Sequence, residues 1–289
     1  MSAAVPSDLA APVIMGVLLG GLYALVALGL SLVFGVMKLI NVAHGDFVVL
    51  GSYAAYAGMT LGLDPILSLL VGVPAFGVMG FGLHRFLMHR ASGISAEAPL
   101  IVAFGISIIL QNAIQIAWSP LSRGLTTSYI LASLRFGRAD IPLVYLLDLV
   151  AALIVMAALH GFLRRTYLGK AVTAASQDAR AAQLMGINTD TIHALAFAIA
   201  AATAAIAGVF LGLTFPFTPS SGVAYLIIAF GVVIIGGLGS MLGTFLGGII
   251  LGLAQALGGH FFGAAAQMLP VYLTVLVLLA LRPQGLFGR

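Results

Sequence analysis

Long apolar runs dominate the sequence, separated by short breaks that contain polar residues, glycine or proline. Nine runs are found, at residues 10–36, 47–62, 65–83, 98–118, 142–163, 191–213, 223–238, 243–258 and 267–281. A helix needs about 20 mostly apolar residues to cross a bilayer. The second and third runs are short and only a Gly-Leu-Asp-Pro turn divides them, so the pattern predicts eight or nine membrane-spanning helices.

The composition indicates that lipid surrounds the chain. Hydrophobic residues make up 62% of the sequence, charged residues make up 7%, and the mean hydropathy is +1.18. A soluble domain carries about 25% charged residues. Segments 195–213 and 269–281 are apolar on every face, whereas strands of a membrane barrel alternate apolar and polar residues. We therefore predict an all-α polytopic membrane protein with one transmembrane domain over residues 1–289.

The basic residues predict the orientation of the chain. Nine fall on one set of alternate loops, namely Lys38, Arg85, Arg90, Arg164, Arg165, Lys170, Arg180, Arg282 and Arg289. The opposite loops carry three, Arg123, Arg135 and Arg138. Because cytoplasmic loops are enriched in Lys and Arg, the amino terminus is expected outside and the carboxyl terminus in the cytoplasm. This bias also accounts for the net charge of +4 without a nucleic-acid partner.

Polar residues mark the break between the first two runs. Asn41, His44 and Asp46 lie within six residues of one another, next to Lys38. They are either a short turn solvated among the cytoplasmic headgroups or a gate element, because polar groups within the bilayer are costly and often functional.

Glycines at helical spacing form a second candidate feature. The chain has 36 glycines, and Gly236, Gly239 and Gly243 begin a dense series that continues to position 252. Small residues let helices pack closely in lipid. The series predicts either tight packing or a contact that lines the translocation path or slides during transport.

The sequence contains a weak internal repeat. The segment around the first run and the segment around the seventh both read as an apolar helix, a break, and then Gly-x-Phe opening another apolar helix. The two copies are expected to cross the membrane in the same direction. Many transporters are built from such repeats, with the substrate route near broken helices.

The longest polar stretch, about residues 164–190, is expected to form a coupling element. Ser176, Gln177 and Asp178 predict a helix start, residues 179–185 are good helix formers, and Gly186 predicts the stop. The expected result is a short cytoplasmic surface helix of about ten residues, suited to contact an ATPase subunit.

The motifs that are missing from the sequence indicate whether this chain itself can supply energy. No Gly-x-x-x-x-Gly-Lys-Ser/Thr motif occurs, so the chain is not expected to bind ATP or to be an enzyme. It has no cysteine and no His/Glu metal spacing, so we expect no metal or cofactor. Asp148, near the outer end of its run, is the only acid placed inside a run. Ion-driven carriers usually need buried ionisable groups, which favours an energy source in another subunit.

Three motifs resemble LivH-type permeases of high-affinity branched-chain amino-acid ABC importers. They are GLYALVALGLSLVFGVMKLINVAHGDFVVLGSYAAY at 21–56, the region 169–212 beginning GKAVTAASQDARAAQLMG, and AFGVVIIGGLGSMLGTFLGGIILG with the tail LRPQGLFGR. The resemblance implies that the inner loop docks into ATPase subunits. Ala181, Ala182 and Gly186 match the Ala-Ala-x-x-x-Gly core of that loop, with Asp178 beside it and Arg180 where the wider superfamily has Glu.

The resemblance also implies the partners and the substrate class. The expected partners are a LivM-like permease or a second copy of this chain, two ABC ATPases and a soluble or lipid-anchored amino-acid binding protein, in the inner membrane. The expected cargo is branched-chain or other hydrophobic amino acids. Alternatives are urea or short amides carried by the same class of importer, a secondary amino-acid carrier, a passive channel and a membrane-embedded enzyme.

Overall fold

The helices are those of a polytopic membrane protein. A computed structural model describes residues 9–95, 97–136, 139–282 and 284–287. The helices are α1 (Ala10–Met37), α2 (His44–Thr60), α3 (Leu69–Leu83), α4 (His89–Ser92), α5 (Ala98–Trp118), α6 (Leu143–Arg165), α7 (Tyr167–Gln177), α8 (Ala179–Leu184), α9 (Thr189–Thr214), α10 (Gly222–Gly236), α11 (Met241–Phe262) and α12 (Met268–Leu281). The predicted basic positions Arg138 and Arg289, and the first eight residues, lie outside the described part.

A small β-hairpin is the largest departure from the all-α expectation among the described residues. Strand β1 (Ser133–Phe136) pairs antiparallel with β2 (Ala139–Pro142), in the loop between α5 and α6. The described residues also form short helical turns outside the α-helices. A π-helical turn, His84–Met88, joins α3 to α4, and 3₁₀ turns at Pro219–Ser221 and Ala264–Ala266 precede α10 and α12.

Eight helices in the described part of the chain are long and apolar enough to cross a membrane. They are α1, α3 continued to Ser92, α5, α6, α9, α10 with its 3₁₀ turn, α11, and α12 with its 3₁₀ turn. Helix α2 has 17 residues and is shorter than each of these eight. The prediction of eight or nine spans is confirmed.

The helices run between two ends of the bundle, which we call the hairpin end and the α8 end. Asp148 near the start of α6 accepts a hydrogen bond from Thr214 at the end of α9, which defines the hairpin end. His89 in α4 and Asp190 at the start of α9 lie 3.5 Å apart at the α8 end. Ala10 lies at the hairpin end and Leu281 at the α8 end, so the described chain begins and finishes at opposite ends.

Glycine contacts hold the centre of the bundle together. Helix α1 packs antiparallel on α11, where a Cβ on Gly16 would lie 2.8 Å from the Cα of Leu253 and one on Gly20 would lie 2.5 Å from the Cα of Ile249. Most of α1 and α9 is buried. In lipid, where apolar exclusion gives no driving force between helices, this close backbone approach supplies the packing energy.

Candidate functional site

Helix α2 begins deep inside the bundle. His44, its first residue, donates a hydrogen bond from Nε2 to the carbonyl oxygen of Val26, at 2.8 Å. Val26 lies eleven residues before Met37, the end of α1, which corresponds to about 16 Å along that helix. The non-helical segment 38–43 therefore returns from the α8 end into the bundle before α2 starts. His44 and Asp46 are only 1% and 2% exposed, so the solvated headgroup turn is wrong.

Helix α10 begins at the same depth, against the start of α2. A Cβ on Gly45 would collide with the carbonyl group of Gly222, the first residue of α10, and a Cβ on Gly222 would collide with the Asp46 carboxylate. Segment 215–221 brings the chain inward from the hairpin end, where Phe217 exchanges two backbone hydrogen bonds of 2.8 Å with Arg123. From this junction, α2 runs towards the hairpin end and α10 towards the α8 end. We call this meeting of two helix starts the central junction.

The Asp46 carboxylate occupies the central junction. Neither α2 nor α10 has a side-chain cap at its amino end, and Asp46 lies in the first turn of α2. Helix amino ends carry partial positive charge, which an acid stabilises. Asp46 Oδ1 accepts a hydrogen bond of 3.0 Å from Gln111 Nε2 in α5, and the same amide donates to Ser107 Oγ at 3.1 Å. One carboxylate thus connects α2, α5 and α10.

The expectation that Asp148 is the only acid inside the spans is wrong. Asp46 is buried at the centre of the bundle, with His44 beside it, whereas the sequence pattern placed both outside the second run. Asp148 is buried near the hairpin end, as expected. The inference that this chain lacks buried ionisable groups therefore fails as an argument about its energy source. The described residues contain no cluster of three His, Cys, Asp or Glu that could hold a metal ion.

Asn41 belongs to the segment that leads into the junction. It is 5% exposed, and its Oδ1 accepts a hydrogen bond of 3.2 Å from the backbone nitrogen of Ala43. Its carbonyl oxygen accepts from the nitrogen of His44 at 3.1 Å. Asn41 thus shapes the last turn before α2, while the imidazole Nδ1 of His44 has no hydrogen-bond partner among the described residues.

The three glycines of the predicted path lie elsewhere, at the α8 end. A Cβ on Gly236 would collide with the backbone of Gly243, which packs α10 on α11. Gly239 has φ +82° and faces Gly35 of α1, and a Cβ added to Gly239 would lie 2.8 Å from the Gly35 Cα. On α1, Gly29 contacts His44 and lies about 9 Å from Gly35. In this conformation the glycines form tight helix contacts, and their role in the path stays a prediction.

The predicted coupling helix is two helices. Helix α7 ends at Gln177, and Asp178 then caps α8, its Oδ1 accepting from the nitrogens of Arg180 at 2.9 Å and Ala181 at 3.0 Å. The helix start expected at Ser176 is therefore wrong, because Ser176 lies in the last turn of α7. The stop at Gly186 is confirmed, since Gly186 follows α8 with φ +82°.

The surface of α8 separates into a buried and an exposed side. Ala182 is buried, and its carbonyl oxygen accepts from the nitrogen of Ile187. Arg180, Ala181 and Gly186 are exposed. Leu184 and Met185, which sequence reasoning did not single out, are 89% and 83% exposed at an end of the bundle rich in charged residues. Two large apolar side chains inside a polar loop were the signal that could have identified them.

Together these features define a polytopic helical membrane protein, with two helices starting at its centre and a small helix presented at one end. A family model described as "Branched-chain amino acid transport system / permease component" matches residues 13–281. The chain belongs to this family of permease components.

Curated relatives agree with the family. The permease BraD of Pseudomonas aeruginosa, named as part of a high-affinity branched-chain amino acid transport system, is 33% identical over 95% of this chain and 94% of its own length. LivH of Escherichia coli K12 is 32% identical over the same shares. LivM of that strain is 27% identical over 92% of this chain and 67% of its own length. PsaBC from Streptococcus pneumoniae has a similar fold, with a TM-score of 0.52 at 14% identity, covering 95% of this chain and 93% of the solved one.

Proposed function

We propose that this chain is the membrane-spanning subunit of an ABC importer for branched-chain or other hydrophobic amino acids. The observation that carries the proposal is the similarity over almost the whole chain to LivH and BraD, both named as high-affinity branched-chain amino acid permeases. In this proposal the whole chain acts as one permease domain in the inner membrane, with the amino terminus outside and the α8 end in the cytoplasm.

The proposed partners are a second permease, two ABC ATPases and an amino-acid binding protein. The weaker similarity to LivM supports pairing with a LivM-like chain, since LivH and LivM are both related to this sequence, and a second copy of this chain is the other candidate. The binding protein would deliver substrate at the hairpin end. The cargo would then cross between the two permeases.

The proposed contact with the ATPases is the exposed side of α8. Leu184 and Met185 form an exposed apolar surface there. Asp178 and Arg180 place charged side chains at the edge of that surface. Helix α8 is fixed to the bundle by Ala182 and by the hydrogen bond of 2.6 Å from Gln183 Nε2 to Thr189 Oγ1 at the start of α9. Because α9 contacts α2 along its length, movement of α8 would reach the central junction through one rigid helix.

The central junction is the proposed gate. Two helices that start at mid-depth and run in opposite directions can rock with the two halves of the bundle, which is how broken helices serve alternating access in other transporters. Asp46 and His44 would hold the closed arrangement, and the glycines Gly236, Gly239 and Gly243 would provide the contact that slides.

A reconstitution experiment tests the function. We expect leucine uptake into proteoliposomes to require this chain, its permease partner, both ATPases, the binding protein and ATP together. Omitting the ATPases should abolish uptake. Uptake driven by a sodium or proton gradient alone would identify a secondary carrier, flux without any energy source would identify a channel, and uptake of urea or acetamide in place of leucine would refute the proposed substrate.

A pair of glycine variants tests the coupling role of the α8 region. Gly186 and Gly62 share φ +82°, and a Cβ on either meets no atom within 4 Å. Gly186→Trp should leave the chain inserted but abolish ATPase association and substrate-stimulated ATP hydrolysis. Gly62→Trp, at the hairpin end, should keep ATPase association. Normal stimulation in Gly186→Trp would contradict the docking role.

A further inference from the structure

A groove at the α8 end opens between α6, α7 and the start of α11. Its volume is about 510 Å³, and its polar lining includes His160, Arg164, Lys170, Thr173 and Gln177. His160 and Arg164 share one face of α6, and the other three share one face of α7, because residues three or four apart are neighbours on a helix. None of the described residues that line the groove belongs to α8 or to the central junction.

The two helices that form the groove are held rigidly. Helix α7 starts two residues after α6 ends, and Thr166 Oγ1 caps it by accepting from the nitrogen of Gly169 at 3.0 Å. A Cβ on Gly169 would lie 2.6 Å from the Cα of Leu163, so the two backbones touch. The basic side chains at the end of α6 and at the start of α7 are therefore kept close together.

The positive charge of the groove is not neutralised by the described residues. Neither Arg164 nor Lys170 forms an ion pair with a carboxylate in the described part of the chain. The carboxylate of Asp178, next along the chain, is turned to the amino end of α8. Lys170 occupies the first turn of α7, which contains no acid, so a cation lies where a helix amino end already carries positive potential. An anion in the groove would balance both the charge of Lys170 and the positive potential at the amino end of α7.

An apolar surface continues from the groove along the bundle. Leu242 lines the groove at 60% exposure, and Leu246, one turn further along α11, is 36% exposed. On α6, Leu153 lies on the face of His160 and is 41% exposed. The site therefore presents basic groups at the membrane boundary and apolar side chains towards the bilayer interior. A phospholipid has the matching arrangement, with a phosphate headgroup at the boundary and acyl chains in the interior.

We propose that this groove binds the headgroup phosphate of an anionic phospholipid. Arg164 and Lys170 contact the phosphate, the Gln177 side-chain amide donates a hydrogen bond to it, and the acyl chains lie along Leu242 and Leu246. Basic pockets between membrane helices on the cytoplasmic side bind anionic headgroups in other proteins. The occupant is thus a component of the membrane itself, separate from the transported cargo and independent of which cargo that is.

Lipid retention by the purified full chain tests the proposal. Native mass spectrometry in detergent should show phosphatidylglycerol bound in preference to phosphatidylcholine. R164Q/K170Q should weaken phosphatidylglycerol binding roughly thirty-fold, as expected for the loss of two basic residues at a membrane surface. R164K/K170R keeps the charge and should keep binding, which separates loss of the site from loss of fold. The matched control R85Q/R90Q removes two exposed charges at the same end and should leave binding unchanged.

Three results would overturn the proposal. Equal losses in R85Q/R90Q and R164Q/K170Q would show attraction to the whole end of the bundle, without a site. Displacement of phosphatidylglycerol by inorganic phosphate at equal concentration would identify a free-anion site. Equal retention of both lipids, with weaker ATPase association in R164Q/K170Q, would assign the groove to a protein contact.

Discussion

The breaks before α2 and before α11 have similar sequences and different structures. Both follow a long apolar stretch, and both lead into Gly-x-Phe at the start of the next helix. Residues 38–43 return into the bundle before α2 begins, and the His44 side chain reaches Val26, about 16 Å along α1 from Met37. Residues 237–240 instead turn at the α8 end, where Gly237 and Gly239 have φ of +92° and +82°. The two pairs of helices nevertheless run in the same directions, as the internal repeat predicts.

The difference between the two breaks lies in where their polar groups find partners. Ser240 caps its own helix, with Oγ accepting from the nitrogen of Gly243 at 3.1 Å. His44 and Asp46 bond instead to Val26 in α1 and Gln111 in α5. A break whose polar groups are satisfied locally can stay at the membrane boundary. A break whose polar groups bond to other helices lies inside the bundle. Those bonds are needed there, because a buried polar group without a hydrogen-bond partner is costly.

The largest effect is expected from Gly45→Ala. The added Cβ would overlap the carbonyl of Gly222 and lie 3.0 Å from the nitrogen of Leu226, so α2 must separate from α10. We expect the free energy of unfolding, measured by SDS titration, to fall by about 3 kcal/mol or more. Gly239 in the second break packs on Gly35 of α1. The Cβ of Gly35→Ala would lie 2.9 Å from the Gly239 Cα and 3.6 Å from its next nearest atom, so this variant should lose less stability.

Gly72→Ala is the control for this pair. Its Cβ meets nothing within 4 Å in α3, so stability should stay the same or rise slightly. A loss in Gly35→Ala equal to that in Gly45→Ala would mean that the two breaks are equally constrained, contrary to the comparison.

An intermediate effect is expected from Asp46→Ala. This change removes one of the two acceptors of the Gln111 amide and takes the acid away from two helix starts, which should cost about 2–3 kcal/mol in the same titration. Asp46→Asn keeps an oxygen acceptor and should lie within about 1 kcal/mol of the parent. If the asparagine variant is as unstable as the alanine variant, the negative charge and not the hydrogen bond holds the junction.

The smallest effect is expected from Ser240→Ala. Removal of this cap should lower the free energy of unfolding by about 1 kcal/mol, because one backbone nitrogen of α11 loses its partner. Ser176→Ala, in the last turn of α7, is the matched control and should change stability by less than about 0.5 kcal/mol. A loss in Ser240→Ala as large as that in Asp46→Ala would show that a local cap matters as much as the central junction.

The spans were predictable because lipid imposes length and apolarity directly on the sequence. The run at 98–118 coincides with α5, and the run at 10–36 ends one residue before α1 does. Gly186 was predictable as a helix stop from its conformational freedom alone. The β-hairpin was not, since its four-residue strands lie in a loop without a clear alternating pattern.

The central junction was not predictable because its partners are distant in sequence. Nothing near Asp46 indicates that Gly222 will face it or that Gln111 will bond to it. The short polar segment therefore had the pattern of a headgroup turn. The predicted start of α8 was wrong for a different reason. Ser176 and Asp178 are both good capping residues, and only the end of α7 decides which of them begins the helix.

The contact between α1 and α11 also determines the order of assembly. Gly20 and Ile249, which touch in the folded chain, lie far apart in the sequence. At rates of 5–20 residues per second, roughly ten seconds or more pass between the synthesis of one and that of the other. Helix α1 thus waits with its glycine face against lipid until α11 arrives. A ribosome that stalls before α11 would leave α1 without its main partner.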